Sequence, residues 1–182
     1  MQPAPDVLSL FWAPISAVGS HGPQGPNAQL TVSVFGASSV PDRPRLLVVL
    51  YRPNYTRELV AAAGTLAISV LDRSHMRLVE PLGIRTGREG NKLAGLEVEL
   101  TAEGDPWFPG AVGIARCEVI EDFELGEATS FLCAVRERRA AGGSQTFTTA
   151  DIRSELGEAF TRPWDEKRAR DLPMLRELMH WR

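Results

Sequence analysis

Cysteine is nearly missing from this chain: only Cys117 and Cys133 occur in 182 residues. Each lies inside an apolar run and they have no CxxC spacing, which excludes a disulfide framework and a zinc centre. Two buried free thiols in a reducing compartment is the remaining reading. Histidine is equally scarce. His21, His75 and His180 are scattered at no ligand spacing, and no Ser/His/Asp or Cys/His arrangement can be drawn from them. A basic excess is also absent, with 20 Lys and Arg against 23 Asp and Glu and a net charge of −3. Nucleic acid and anionic membrane surfaces demand clustered positive charge, so neither is expected as a partner. Long apolar runs are lacking as well. Residues 7–18 have no Lys or Arg before them and are interrupted by Pro14, unlike a secretion signal. Residues 59–71 are broken by Gly64 and fall short of the ~20 residues needed to span a bilayer. The expectation is a cytoplasmic protein without a membrane segment.

What is present is an ordinary globular composition, 43% hydrophobic and 24% charged, in a length that suits one domain. Residues 11–18 predict a strand and residues 20–26 (SHGPQGP) a polar loop. Residues 29–35 alternate, with Leu30, Val32 and Val34 on one face and Thr31 and Ser33 on the other. The continuous apolar run Leu46–Tyr51 predicts a fully buried strand. A short helix is expected over 56–63, a strand over 65–71 and a second helix over 76–82. Strands over 113–121 and 129–136 close the series. Many strands with helices only between them point to a small barrel, not a doubly wound sheet. The glycines at 19, 22 and 25 lack the G-x-G-x-x-G spacing of a dinucleotide fingerprint and read as a turn. Residues 140–145 (AAGGSQ) read as a mobile connection. From about Asp151 the chain becomes helical, with a start at Thr161 and Pro163 and with Leu175, Leu178 and Met179 at helical spacing. The division is therefore a barrel domain over 1–150 and a helical extension over 151–182 packed on the barrel or on a partner subunit.

Residues 27–71 carry a Thr-x-Ser strand at Thr31 and Ser33, serines at 38 and 39 before a Pro-containing turn, the apolar strand 46–51, and Asn54-Tyr55-Thr56 opening a helix. Residues 83–92 (GIRTGREGNK) follow. In order and spacing these elements resemble the flavin reductase-like family of FMN-binding split barrels. The resemblance covers roughly residues 11 to 138. It implies a mainly β fold, an FMN-binding split barrel with a helical C-terminal tail, assembled as a homodimer with a flavin near each subunit interface. It implies NADH or NADPH as hydride donor, and free flavin, a monooxygenase or oxygen as acceptor, with the two-electron chemistry supplied by the cofactor.

Under this resemblance the site residues fall into three groups. Asn54 and Thr56 at a helix start, with Arg52 just upstream, suit a phosphate dianion; the ordinary alternative is that they only cap the helix. Thr31 and Ser33, with Gly36, Ala37, Ser38 and Ser39, suit the hydrogen-bonding edge of an isoalloxazine; the alternative is a solvated turn. Arg88 and Lys92 suit either the phosphate or the anionic reduced ring, or are solvated charges. The chain also departs from the family: Ala128 stands where many reductases carry a His, Asn91 replaces an Asp and Leu93 a Phe. A flavin-binding electron carrier or store without efficient NAD(P)H oxidation is thus the competing reading. A pyridoxamine-phosphate-oxidase-like enzyme shares the barrel but not these motifs in this order.

Overall fold

Nine strands and three α-helices account for most of the computed structural model, which describes residues 7–141 and 145–181. After a 3-10 turn at Val7–Phe11 come β1 (Ser16–Gly22), β2 (Gly25–Thr31), β3 (Val34–Gly36) and β4 (Arg45–Tyr51). Helix α1 (Tyr55–Ala63), β5 (Thr65–Val70), a 3-10 turn (Arg73–Leu78) and α2 (Val79–Gly83) follow. Short β6 (Glu99–Leu100) and β7 (Pro106–Trp107) precede the long hairpin β8 (Gly113–Glu124) and β9 (Ala128–Ala140), and α3 (Thr149–Leu178) ends the chain.

Seven strands form one curled antiparallel sheet in the order β2-β1-β5-β8-β9-β4-β3. Its two edge strands, β2 and β3, are consecutive in sequence and separated only by Val32 and Ser33. The sheet therefore curls until its edges meet, and a short linker spans the seam. There Val49 donates its N–H to the Ser33 carbonyl and Ala13 donates to the Val32 carbonyl. Both faces of the sheet are covered. One carries Val18, Val48, Leu50, Val60, Leu66, Ile68, Phe131 and both cysteines. The other carries Ala17, Ala28, Leu71, Phe108, Phe147, Ile152 and Phe160, with α2 and α3. Coverage on both faces is why all of Ser16–Ser20 is buried.

Several expected elements shift. The strand expected over 11–18 begins only at Ser16, and the loop expected over 20–26 is a tight hairpin turn at residues 23–24, so the polar residues of that stretch sit in paired strands. The strand expected over 29–35 is broken at residues 32–33 by the seam. Leu46–Tyr51 is not fully buried: Val48 and Leu50 are enclosed while Tyr51 is exposed, as one face turns outward. Part of the 76–82 helix is a 3-10 turn.

The tail helix begins at Thr149, well before Thr161, because Thr148 and Asp151 form a reciprocal capping box. A break at Gly157, whose φ of 62° and ψ of −167° are not helical, resets its direction. Of the connection expected over 140–145, residues 142–144 lie outside the described residues, as does Arg182 of the tail. No helix among the described residues is long and apolar enough to cross a membrane.

Candidate functional site

A cleft of about 540 Å³ opens at the seam, inside the range of ~300–1,000 Å³ typical of small-molecule sites. One wall is the barrel: residues 29–33 of β2 and the seam, then Tyr51, Pro53 and Asn54 where β4 passes into α1. Its floor is Ile15, Val79, Leu82 and Gly83. The opposite wall is α3, which contributes Phe160, Trp164, Lys167, Arg168, Leu172 and Arg176 among others. On that helix Arg153 clasps Asp165 through two bonds of 2.6 and 3.1 Å, and Lys167 pairs with Asp171 at 2.7 Å. The Phe160 and Trp164 rings pack at a tilt of 58°, with centroids 5.2 Å apart.

Around the start of α1 the polar groups are tightly arranged. Asn54 is the N-cap residue: its carbonyl accepts the Arg57 N–H at 3.0 Å, but its side chain makes no cap bond, so the amides of Tyr55 and Thr56 are not answered by it. Thr56 is buried and its hydroxyl accepts a 2.6 Å bond from Asn27 Nδ2. Arg88 reaches over the Tyr55 ring, donates to the Pro53 carbonyl and pairs with Glu58. Behind this, Glu124 takes bonds from Thr129, Arg52 and Arg57. The Thr129 hydroxyl, then the two guanidinium groups, hold its carboxyl below the usual carboxylate range. Gln29 lies in the barrel wall, 5% exposed, with its Oε1 enclosed and without a hydrogen-bond partner.

Comparison with known proteins places this architecture. Residues 8–156 match the model of the flavin reductase like domain. The chain belongs to that family. It is 30% identical to the actinorhodin polyketide dimerase of Streptomyces coelicolor over 123 residues, 67% of each chain. It is 34% identical over 83 residues to the high molecular weight rubredoxin of Moorella thermoacetica, covering 45% of this chain and about a third (35%) of that protein's length. Among solved structures, the NADH:FAD oxidoreductase of Streptomyces globisporus C-1027 superposes with a TM-score of 0.68 at 20% identity, over 76% of this chain and 82% of that one. The FMN-binding protein of Thermus thermophilus superposes with a TM-score of 0.66 at 24% identity, over 77% and 78%.

A flavin needs apolar faces for its ring, polar groups along one ring edge, and donors for a phosphate. This flavin reductase-like chain offers each within the cleft. Trp12, Ile15, Leu82 and Trp164 are apolar, Gln29 holds an unanswered Oε1, and Asn54 brings the start of α1 to the lining, whereas Thr56 is buried against Asn27 and does not line the cleft. The residues present therefore fit the group.

The structure brings only part of the expected site together. Thr31, Ser33 and Asn54 line the cleft. Thr31 Oγ1 already accepts a 3.0 Å bond from the Ser33 amide, which shapes the seam. Gly36, Ala37, Ser38 and Ser39 do not line it. Ser38 belongs to a separate depression of about 450 Å³, where its hydroxyl donates to the Arg43 carbonyl and accepts from the Val40 amide. Arg52 and Arg88 lie near the start of α1 but are engaged with Glu124 and Glu58. Lys92 is buried and donates to the Arg85 carbonyl at 3.1 Å, tying the 85–92 loop together. Burial, then the nearby Lys167 charge, pulls its pKa down to about 8. The sequence does not single out Gln29 or Glu127, and it marks the α3 residues as an extension packed on the barrel or partner subunit, not as part of the site. Gln29 sits in a β-strand two positions before Thr31, and that period-2 spacing was the available signal.

Proposed function

We propose that the chain is an FMN-binding oxidoreductase that takes hydride from NADH or NADPH and passes electrons on, working as a cytoplasmic homodimer. The observation that carries this is the seam cleft itself, with an uncapped helix start and a polar β2 edge on one wall. Asn54 and the amides of Tyr55 and Thr56 at the start of α1 hold the phosphate, helped by the partial positive charge of a helix N-terminus. Thr31 and Ser33 orient the ring from the seam, and Trp164 and Phe160 exclude water from the opposite side. Bound FMN would supply the two-electron chemistry, accepting hydride from a nicotinamide. Exposed apolar side chains at Phe35, Ile120, Phe123 and Leu125 support a subunit interface on the β3 and β8–β9 side. The acceptor in this reading is free flavin, a partner monooxygenase or oxygen.

Ala128 favours a second reading. It is 1% exposed and has no ionisable group where many reductases carry a His, and the cleft is walled by α3. A flavin carrier or store needs no such group. Anaerobic mixing of the FMN-loaded protein with NADH and with NADPH separates the two. Rapid bleaching of the flavin absorbance is expected; unchanged absorbance with flavin bound would replace the reductase by the carrier.

A further inference from the structure

Gln29 is the group in the barrel wall whose chemistry the protein leaves open. It lies on β2 opposite Val18 and is 5% exposed; its backbone belongs to the sheet, but its side chain makes no hydrogen bond to any described residue and its Oε1 is enclosed. Thr31 is answered by the Ser33 amide, and Asn27, whose Nδ2 is held by Thr56 and whose Oδ1 is also unpartnered, does not line the cleft, which leaves Gln29 as the unpartnered amide that borders it. Burying a carboxamide without partners is unfavourable, and an apolar residue of similar size would fill the same volume without that cost. The side chain borders the cleft beside Leu30, Thr31 and Asn54, within reach of a ligand seated there.

Resting on the flavin reading, we propose that the Gln29 carboxamide recognises the pyrimidine edge of the ring, pairing with N3–H and an adjacent carbonyl. A carboxamide presents a donor and an acceptor side by side in one plane. The imide edge of the flavin is the rigid complement to that pair, whereas the ribityl hydroxyls are on a flexible chain. Gln29 also precedes Thr31 by two residues, about 7 Å along the same strand, on the side leading toward the seam. It is therefore a positioning and specificity residue: it selects an isoalloxazine with a free N3–H and fixes its in-plane rotation.

The test compares FMN with N3-methyl-FMN and with lumiflavin, which lacks the ribityl phosphate, by fluorescence titration of wild type and Gln29→Leu. Expected are roughly tenfold weaker FMN binding by Gln29→Leu and a similar loss for N3-methyl-FMN on wild type. In Gln29→Leu the N3-methyl penalty should vanish, and the variant's own penalty should persist with lumiflavin. Equal FMN affinities in the two proteins, or full wild-type affinity for N3-methyl-FMN, would overturn the assignment. So would a Gln29→Leu penalty that disappears with lumiflavin, since it would place the contact on the ribityl chain. The N3-methyl arm on wild type needs no variant and stands if Gln29→Leu does not fold. Wild type that binds no flavin would overturn the functional reading and this inference together; flavin binding without any Gln29 effect would overturn this inference alone.

Discussion

On the barrel side of the cleft, Gln29 and Thr31 belong to a strand paired residue by residue with β1, and Asn54 ends a loop tied to Tyr51 and Glu127 by backbone bonds. Across the cleft, α3 holds its place by quite different means. Ile152 and Phe160 are its only fully buried side chains, and both precede Trp164. Beyond Trp164 the helix contributes half-buried or exposed residues and ion pairs such as Lys167–Asp171. A sheet position is fixed by many cooperative backbone bonds, whereas partly exposed ion pairs are each worth only ~0–1 kcal/mol. The barrel wall is thus suited to fixing a ligand's orientation. The distal half of α3 is held weakly enough to yield to whatever enters.

The largest expected effect comes from removing that second wall. Deletion after Thr161 keeps Ile152 and Phe160 but takes away Trp164 and everything distal. FMN binding should persist within about tenfold while bound flavin is reduced faster by small donors, read by titration and stopped-flow absorbance. A deletion protein that is insoluble or unfolded would mean the two walls share one core, and the contrast would fail. Next in size is the contrast within α3. Phe160→Ala should cost about 3 kcal/mol, the usual loss for a buried aromatic. Leu172→Ala, at a position 39% exposed, should cost less than ~0.5 kcal/mol. Similar losses in urea unfolding would show that the distal half is anchored after all.

Lys92 tests where the charges of the two walls meet. Its folded pKa of about 8 lies below its ordinary value of 10.5, so between those values the unfolded chain binds more protons. Stability should then rise with pH from about 8 toward 10.5, by at most roughly 3 kcal/mol. Lys92→Met should lack this rise and be the more stable protein at pH 7. Parallel pH profiles for the two proteins would place Lys92 in water, away from Lys167.

Much of this was legible in the residues. The run at Leu46–Tyr51 and the Asn54–Thr56 helix start are local patterns that each mark an element that forms, and the alternation at Leu30, Val32 and Val34 marks strand on both sides of a break at 32–33. The order of motifs was enough to name the family. Less legible was anything set by closure of the sheet. Residues 29–35 read as one strand because alternation carries no information about a seam, which is a contact between the first and last strands of the sheet. Gly36–Ser39 and Asn54 look alike as polar turns, yet only Asn54 lines the cleft. Gln29 carries only the faint signal of its spacing from Thr31, because an amide in a strand is ordinary until its burial and its unpartnered Oε1 are known. The start of α3 lies earlier than Pro163 suggests, because that proline is a strong local signal while the Thr148–Asp151 capping box lies in a polar stretch that reads as linker.

The smallest expected effect lies at the far end of the barrel wall, in the Glu124 cluster that backs the start of α1. Glu124 accepts from Thr129 at 2.8 Å and from Arg52 and Arg57 at 2.6 Å each, but its side chain is 43% exposed. Solvent screening therefore limits what the cluster contributes, and Glu124→Gln should cost less than ~1 kcal/mol. Because its folded pKa is depressed, the contribution is complete above the ordinary carboxylate value and fades as pH falls through the folded value. Wild type and Glu124→Gln should thus differ at pH 7 and converge in acid. FMN affinity offers the sharper reading. If the barrel wall is rigid through its sheet bonds, the variant should bind FMN as wild type does, because Arg52 still donates its N–H to the Glu127 carbonyl. A severalfold loss of FMN affinity with unchanged melting temperature would mean the phosphate end of the site depends on this surface network. The barrel wall would then be less self-sufficient than its strand pairing implies.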